Sequence, residues 1–286
     1  TASSNNTFTP ATPLNSGDIV CVRGYNPLPF TIDGNLTDQY WGAPLATSAG
    51  GPATSGFGTN RMDALYLKNG FGYLFGGIAG SLDNNSGNKV FLFIDCITGG
   101  YNSLGSWIFR SNAPYNSMKN LNGGIQFDSG FEPDYILGIN ISNNVLYFDL
   151  YNMQTNVNTY LGASGSTLYG YVPNTSTGDY SKGFEFSIPI NLLGNYGSSV
   201  KAFGMLVNDP GFTNATFLSN QFLGRANNGE GNYGDGSVNF SLASPNPVDY
   251  TVIQDCYSEQ CITVQNSVTP SVSIVSNDAD NSICDG

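Results

Sequence analysis

The sequence contains no histidine and has few charged residues. Without histidine, Ser-His-Asp and Cys-His nucleophilic sites, Cys/His zinc sites and H-E-x-x-H metalloproteases are excluded. Asp, Glu, Lys and Arg make up only 10% of the 286 residues, whereas about a quarter of an ordinary soluble protein is charged. Carboxylate chemistry is the acid–base catalysis that this composition leaves open.

Basic residues and long apolar runs are also scarce. Nine Lys and Arg stand against 21 Asp and Glu, for a net charge of −12, which repels phosphate backbones and anionic lipid at long range. No apolar run approaches the roughly 20 residues that a membrane-spanning helix needs. We therefore expect no nucleic-acid partner and no membrane insertion.

Turn-forming residues and aromatic residues are abundant instead. The 36 glycines, together with frequent Asn, Ser and Thr, favour many short strands joined by polar turns. Asn69-Gly70 and Asn143-Asn144 predict hairpin turns, and the unbroken apolar run KVFLFIDC predicts a central strand covered on both faces. One helical turn closed by glycine is predicted at 189–194. The expected fold is an all-β, antiparallel, jelly-roll-like β-sandwich.

Changes of sequence pattern along the chain predict three regions. Residues 1–15 lack periodicity and are expected to form an extended N-terminal arm, and residues 16–267 are expected to form the sandwich. After Cys261 the sequence pattern changes, and Pro270 precedes a segment of alternating residues, SVSIVS. We expect residues 268–286 to be a linker and the first strand of a following Ig-like module.

The five cysteines indicate disulfides, since no histidine is present to complete a zinc site. Cys256 and Cys261 are close enough in sequence to close a small loop, and Cys21 and Cys96 could join the N-terminal segment to a core strand. Cys284 would then pair with a cysteine beyond Gly286. The alternative is a set of free buried cysteines in a cytosolic protein.

Oxygen-bearing side chains in the loops are candidates for calcium ligands, because Ca²⁺ takes Asp, Glu, Asn and carbonyl oxygen atoms. No organic cofactor is expected. The alternative at each position is a solvated polar turn. The candidate residues are Asp33, Asp38, Asp83, Glu230 and Asp235.

Aromatic side chains are candidates for stacking on sugar rings. The chain has only two tryptophans, and both have a tyrosine nearby in sequence, so the candidates are Trp41 with Tyr40 and Trp107 with Tyr101. The alternative, strongest for Trp41, is a core position, because so many rings must fill the sandwich.

A glycoside hydrolase or lyase would need two carboxylates facing each other across a sugar bond. The spacing singles out no pair among the carboxylates of the strand region, which are Asp95, Asp128, Glu132, Asp134, Asp149 and Glu185. An enzyme is therefore not expected, and catalytic residues are not assigned.

Several motifs resemble those of known families. The order of MDALYL, YLFGGIAG, KVFLFIDC, IQFDSGFEPDYIL and GFEFSIPINLLG resembles an uncharacterised family of secreted bacterial β-sandwiches. The segment from IDGNLTDQYWG to the IDC strand, within residues 31–96, is similar to family-9-like carbohydrate-binding modules. The tail TPSVSIVSNDADNSICDG resembles the first strand of Ig-like or PKD-like repeats in Bacteroidota surface adhesins.

These resemblances imply an exported, modular protein. The expected function is that of a secreted cell-surface module in adhesion, or of a subunit of an extracellular filament or matrix, whose partners are neighbouring modules or glycans. Carbohydrate binding through exposed aromatic residues is the alternative, and a carboxylate-based glycosidase or lyase is the third hypothesis.

Overall fold

The computed structural model describes residues 16–25, 31–48, 57–70, 72–103, 127, 129–163, 168–176, 178–194, 196, 199–208, 217–224, 248–251 and 257–263. The chain divides into two compact units, of which the first joins Thr1–Pro29 to Gln254–Gly286 and the second is Phe30–Ile253. This division differs from the predicted one, because residues 16–29 and 254–267 belong to the first unit and not to the sandwich. The predicted arm (1–15) and tail (268–286) lie outside the described residues.

The first unit contains a two-stranded antiparallel ribbon. Strand β1 (Ile19–Tyr25) pairs with β14 (Tyr257–Thr263). The register places Cys21 opposite Cys261. Two segments from opposite ends of the sequence therefore meet in this ribbon.

The second unit is a sandwich of two antiparallel sheets, as predicted. The small sheet has the order β2-β3-β4-β10-β9. Its strands are β2 (Ala46–Thr47), β3 (Arg61–Gly70), β4 (Tyr73–Ser81), β10 (Gly183–Pro189) and β9 (Tyr169–Tyr171).

The large sheet has the order β12-β11-β5-β6-β7-β8, and β13 also pairs with β11. Its strands are β5 (Asn88–Asp95), β6 (Tyr135–Ser142), β7 (Val145–Asn152), β8 (Val157–Ala163), β11 (Ser199–Asn208), β12 (Phe217–Leu223) and β13 (Val248–Thr251). The described residues form no helix that is long and apolar enough to cross a bilayer.

Strand β5 is buried on both faces, which confirms the prediction made from its unbroken apolar run. Val90 and Leu92 belong to the core between the sheets, whereas Phe91 and Phe93 belong to a second apolar cluster. Successive side chains of a strand point to opposite faces, so this second cluster lies on the outer face of the large sheet.

The two predicted hairpins form, but one turn lies elsewhere. Asn143 and Asn144 have φ angles of 52° and 61°, as the turn between β6 and β7 requires. The turn between β3 and β4 is displaced, because Asn69 pairs with Leu74 and Gly70 pairs with Tyr73. Asn69-Gly70 therefore ends β3 and does not form the turn.

The predicted helical turn is present as a 3₁₀ turn at Ile190–Leu193. It ends at Gly194, whose φ is 70° and whose backbone N–H donates to the carbonyl of Ile190. Glycine adopts this left-handed conformation without a steric penalty.

Candidate functional site

The segment at residues 31–41 covers the outer face of the small sheet. Ile32, Leu36 and Trp41 are buried, and the residues between Ile32 and Leu36 alternate between buried and exposed. The three apolar side chains form one cluster with side chains of β3 and β4, which are Ala64, Tyr66, Phe75 and Ala79. This segment, here named the covering segment, therefore shields the outer face of the small sheet with apolar side chains.

Glu185 of β10 connects this segment to the small sheet through buried hydrogen bonds. Its carboxylate accepts hydrogen bonds from Trp41 Nε1 at 3.0 Å, from the backbone N–H of Asp33 at 2.7 Å and from that of Gly34 at 2.9 Å. A Cβ at Gly170 of β9 would overlap the backbone of Asp33. Glycine at that position allows the segment to lie flat against the strand.

The Glu185 carboxylate titrates near neutral pH. Burial raises its pKa to about 7, and this effect outweighs the hydrogen bonds from Gly34, Asp33 and Trp41, which favour the charged form. Glu185 is completely buried. Its three hydrogen-bond donors and its burial give it a structural role, which is to hold the segment against β10.

Trp41 and Tyr40 do not form the predicted exposed platform. The Trp41 side chain is only 1% exposed, so the core alternative is correct for this residue. Tyr40 is half-buried, packs edge-on against Phe75 and lies with its ring centroid 6.0 Å from Lys68 Nζ. Both aromatic side chains belong to the covering segment.

The second pair of predicted aromatic residues is in a different place. Tyr101 is half-buried and packs against the apolar cluster on the outer face of the large sheet. Trp107 lies outside the described residues. The structure therefore does not bring Tyr101 together with Trp41.

Two of the carboxylates lie at the end of β5. Asp134 is buried and accepts hydrogen bonds from the backbone N–H groups of Cys96 and Ile97 and from Gln154 Nε2. Burial raises the pKa of both Asp134 and the neighbouring Asp95. Asp134 therefore anchors the turn that follows β5.

Glu132 adds a third negative charge beside this pair, since its carboxylate also raises the pKa of Asp95 and of Asp134. Glu132 is exposed, and its backbone N–H donates to Asp95 Oδ2 at 3.0 Å. Asp149 and Glu185 belong to other strands, and Asp128 lies outside the described residues.

The Asp83 carboxylate, in the loop after β4, is engaged by the loop before β3. It accepts hydrogen bonds from Thr59 Oγ1 at 2.5 Å, from Thr59 N–H at 3.1 Å and from Asn60 Nδ2 at 3.0 Å. The next two residues, Asn84 and Asn85, accept from the backbone of the Asn143–Asn144 turn. The side-chain oxygen atoms of the loop after β4 therefore connect it to the loop before β3 and to the turn between β6 and β7.

The other predicted calcium ligands are only partly described. Asp33 is exposed and accepts from the Asn35 N–H, and burial raises the pKa of nearby Asp38. Glu230 and Asp235 lie outside the described residues. Within the described ranges no three Asp, Glu, His or Cys side chains cluster around a metal position. Calcium binding stays a prediction.

Cys96 is a free thiol, so the predicted Cys21–Cys96 disulfide is not formed in this structure. Its Sγ lies 3.7 Å from the Leu193 carbonyl, and burial raises its pKa far above the usual range. Cys256 and Cys284 lie outside the described residues.

Sequence reasoning did not find an aromatic and polar surface on the outer face of the large sheet. The rings of Tyr147 on β7 and Tyr160 on β8 lie 6.3 Å apart, and Tyr160 is 57% exposed. Asn158 Nδ2 donates to Asp149 Oδ1 at 3.1 Å beside them. The surface, here named the tyrosine patch, consists of Tyr147, Tyr160, Lys89, Asn140, Asp149 and Asn158.

Strand β8 stands at one edge of the large sheet. It pairs with β7 on one side, and no other described strand pairs with it. Of the three exposed large apolar side chains in the described ranges, Val157 (53%) and Tyr160 (57%) lie on β8, and the third is Leu45 (39%). The run Val157–Tyr160 has no apolar–polar alternation that could have marked this surface, and the sequence alone did not show that β8 is an edge strand.

Comparisons with protein-family models, with curated proteins and with solved structures gave no match to this chain. The resemblances to secreted sandwiches, carbohydrate-binding modules and Ig-like repeats therefore stay predictions.

Proposed function

We propose that this chain is a secreted, non-enzymatic surface module that acts in adhesion or extracellular assembly and makes its contacts through strand β8. The observation that carries the proposal is the edge position of β8 together with its exposed apolar side chains, Val157 and Tyr160. An edge strand offers unpaired backbone N–H and C=O groups to an extended segment of a neighbour.

The composition of β8 supports this role. Edge strands are commonly protected by lysine, proline or inward-pointing charge, but the β8 sequence VNTYLGA has neither charge nor proline. Val157 to Tyr160 pair regularly with β7, and the register shifts only after Tyr160. The first four residues of β8, which are regular and uncharged, suit strand addition, whereas the irregularity that follows protects the rest of the edge.

The occupant that we propose is an extended segment of a neighbouring module in the same assembly. The composition, which is poor in charge and rich in Asn, Ser and Thr, and the presence of five cysteines without histidine agree with an extracellular location. Glycans are the partner in the second hypothesis.

A double variant with lysine on the edge tests the proposal. Val157→Lys with Tyr160→Lys adds two charges to β8 and should abolish concentration-dependent association, as measured by sedimentation velocity and electron microscopy. Leu45→Lys is the matched control, because it adds a charge at an exposed apolar residue elsewhere. Circular dichroism checks that all variants fold.

Two results would overturn the proposal. One is a wild-type chain that stays monomeric at every concentration and does not mediate adhesion when displayed on cells. The other is a double-lysine variant that associates as well as the Leu45→Lys control.

A carbohydrate-binding function is the second candidate, and the tyrosine patch favours it. Two neighbouring rings with amide and carboxylate groups beside them offer both a stacking surface and hydrogen bonds for a sugar. Tyr147 distinguishes the candidates, because it lies on β7 and not on the edge strand. Glycan-array binding that is lost in Tyr147→Ala supports sugar recognition, whereas association unaffected by Tyr147→Ala supports edge pairing.

A further inference from the structure

The ribbon of the first unit places two cysteines opposite each other. Strands β1 and β14 pair from Ile19 with Thr263 to Tyr25 with Tyr257, and within this register Cys21 lies opposite Cys261. Opposite residues of an antiparallel pair have Cα atoms about 4.5 or 5.5 Å apart, according to their position in the ladder. Both values lie inside the range of about 4.4–6.8 Å that a disulfide spans.

A covalent link would stabilise this ribbon, because its two strands come from distant parts of the sequence. Its two strands are separated in sequence by the whole second unit, residues 30–253. Bringing such distant segments together costs loop-closure entropy, and an isolated two-stranded ribbon is only marginally stable in water. A bond across the ribbon would remove much of that entropic cost from folding.

We propose that Cys21 and Cys261 form a cross-strand disulfide that joins the two chain ends of the first unit. This pairing replaces both predicted pairs, because Cys96 is a free thiol and Cys261 is no longer available to Cys256. The inference is independent of the proposed function, since it concerns the ribbon and not strand β8.

The reaction requires an external disulfide as the electron acceptor, such as oxidised glutathione or an oxidised dithiol protein. The thiolate of one cysteine attacks this acceptor and forms a mixed disulfide, releasing one acceptor thiolate. The thiolate of the other cysteine then attacks the protein sulfur, which forms the Cys21–Cys261 bond and releases the second acceptor thiolate. Two protons and two electrons leave the cysteine pair.

Peptide mapping of the full chain tests the proposal. The protein is incubated with oxidised glutathione, unfolded under acidic conditions that stop exchange, alkylated, and cut without reduction by trypsin, glutamyl endopeptidase and an endopeptidase that cleaves before aspartate. Cuts before Asp18, after Arg23, after Glu259 and before Asp278 place Cys21 and Cys261 on separate peptides, 18–23 and 260–277. A further cut before Asp255 isolates Cys256 on peptide 255–259.

The expected result is one linked species that contains peptides 18–23 and 260–277 and has lost two hydrogen atoms. Alkylation of both peptides, or a link between 255–259 and 260–277, would overturn the proposal.

Serine variants provide a second, independent measurement. Cys21→Ser should expose one additional alkylatable thiol, at Cys261, whereas Cys256→Ser should leave the cross-link intact. If Cys256 were the true partner, Cys256→Ser would instead free Cys261. The wild-type map and the Cys256→Ser result do not depend on the folding of Cys21→Ser.

Discussion

The indole Nε1 of Trp41 lies 3.0 Å from the Oε1 atom of Glu185, and both side chains are almost completely buried. This hydrogen bond connects the covering segment to β10, which lies far away in the sequence. A buried carboxylate without partners is costly, because it loses its hydration without compensation. Glu185 and its donors are therefore expected to stabilise each other.

Removal of the carboxylate should destabilise the second unit strongly. Glu185→Ala leaves the indole N–H of Trp41 and two backbone N–H groups without their acceptor, and we expect a loss of about 3–5 kcal/mol in the free energy of unfolding. Urea unfolding followed by circular dichroism measures the loss. Glu132→Ala is the control, since Glu132 is exposed, and it should change stability by less than about 0.5 kcal/mol. Equal effects of the two variants would contradict the anchoring role.

Stability should depend on pH through Glu185. Its pKa of about 7 lies above the ordinary value of 4.5 for a glutamate, so the folded state holds a proton that the unfolded state releases. The stabilisation is complete below about pH 4.5 and is lost as the pH rises to about 7, by roughly 3 kcal/mol in all.

Comparison with Glu185→Gln isolates this contribution, because other buried carboxylates also titrate. The difference in unfolding free energy between wild type and Glu185→Gln should shift against the wild type as the pH rises from 4.5 to 7. A difference that stays constant over this interval would show that Glu185 does not titrate there.

A methyl group at Gly170 should dislodge the covering segment. Its Cβ would overlap the backbone of Asp33, and backbone cannot move aside as a flexible side chain can. We expect Gly170→Ala to cost about 1–3 kcal/mol and to shift the emission of Trp41 to longer wavelength.

Gly42→Ala is the control for this variant. Gly42 has a φ of +64° and no atom within 4 Å of the added methyl group, so only backbone strain of about 1 kcal/mol is expected, without a change in emission. If both variants behave alike, close approach at Gly170 is not what positions the segment.

Cys96 should react slowly in the folded protein. Burial raises the pKa of its thiol, and the neighbouring Asp134 and Asp95 charges act in the same direction, so little thiolate is present at pH 8. Alkylation followed by mass spectrometry should modify Cys96 at least tenfold more slowly in the native state than in denaturant. Equal rates would show that the thiol is accessible and that its pKa is not raised in the folded protein.

Much of the fold could be predicted from local patterns. Alternation and turn residues identified the sandwich, the Asn143–Asn144 turn and the central position of β5, because each depends on neighbouring residues. The turn after Gly70 was misplaced, since Asn69-Gly70 is a strong local signal that the pairing of Asn69 with Leu74 overrides.

The site was harder to predict, because it depends on contacts between distant segments. The partner of Trp41 is Glu185 on β10, and no spacing rule connects these two residues. The edge position of β8 likewise follows from the strand order and not from its own sequence. The same limit explains the cysteines, where short spacing favoured Cys256 with Cys261 but the register aligns Cys21 with Cys261.

The strand order of the small sheet has a consequence for folding kinetics. Strand β10 lies between β4 and β9, and Gly183 pairs with Ala79, so the second neighbour of β4 comes from a distant part of the sequence. Such non-local pairing slows folding to milliseconds or longer. During that interval the unpaired edge of β4 is open to intermolecular contact, and refolding yield should fall as protein concentration rises.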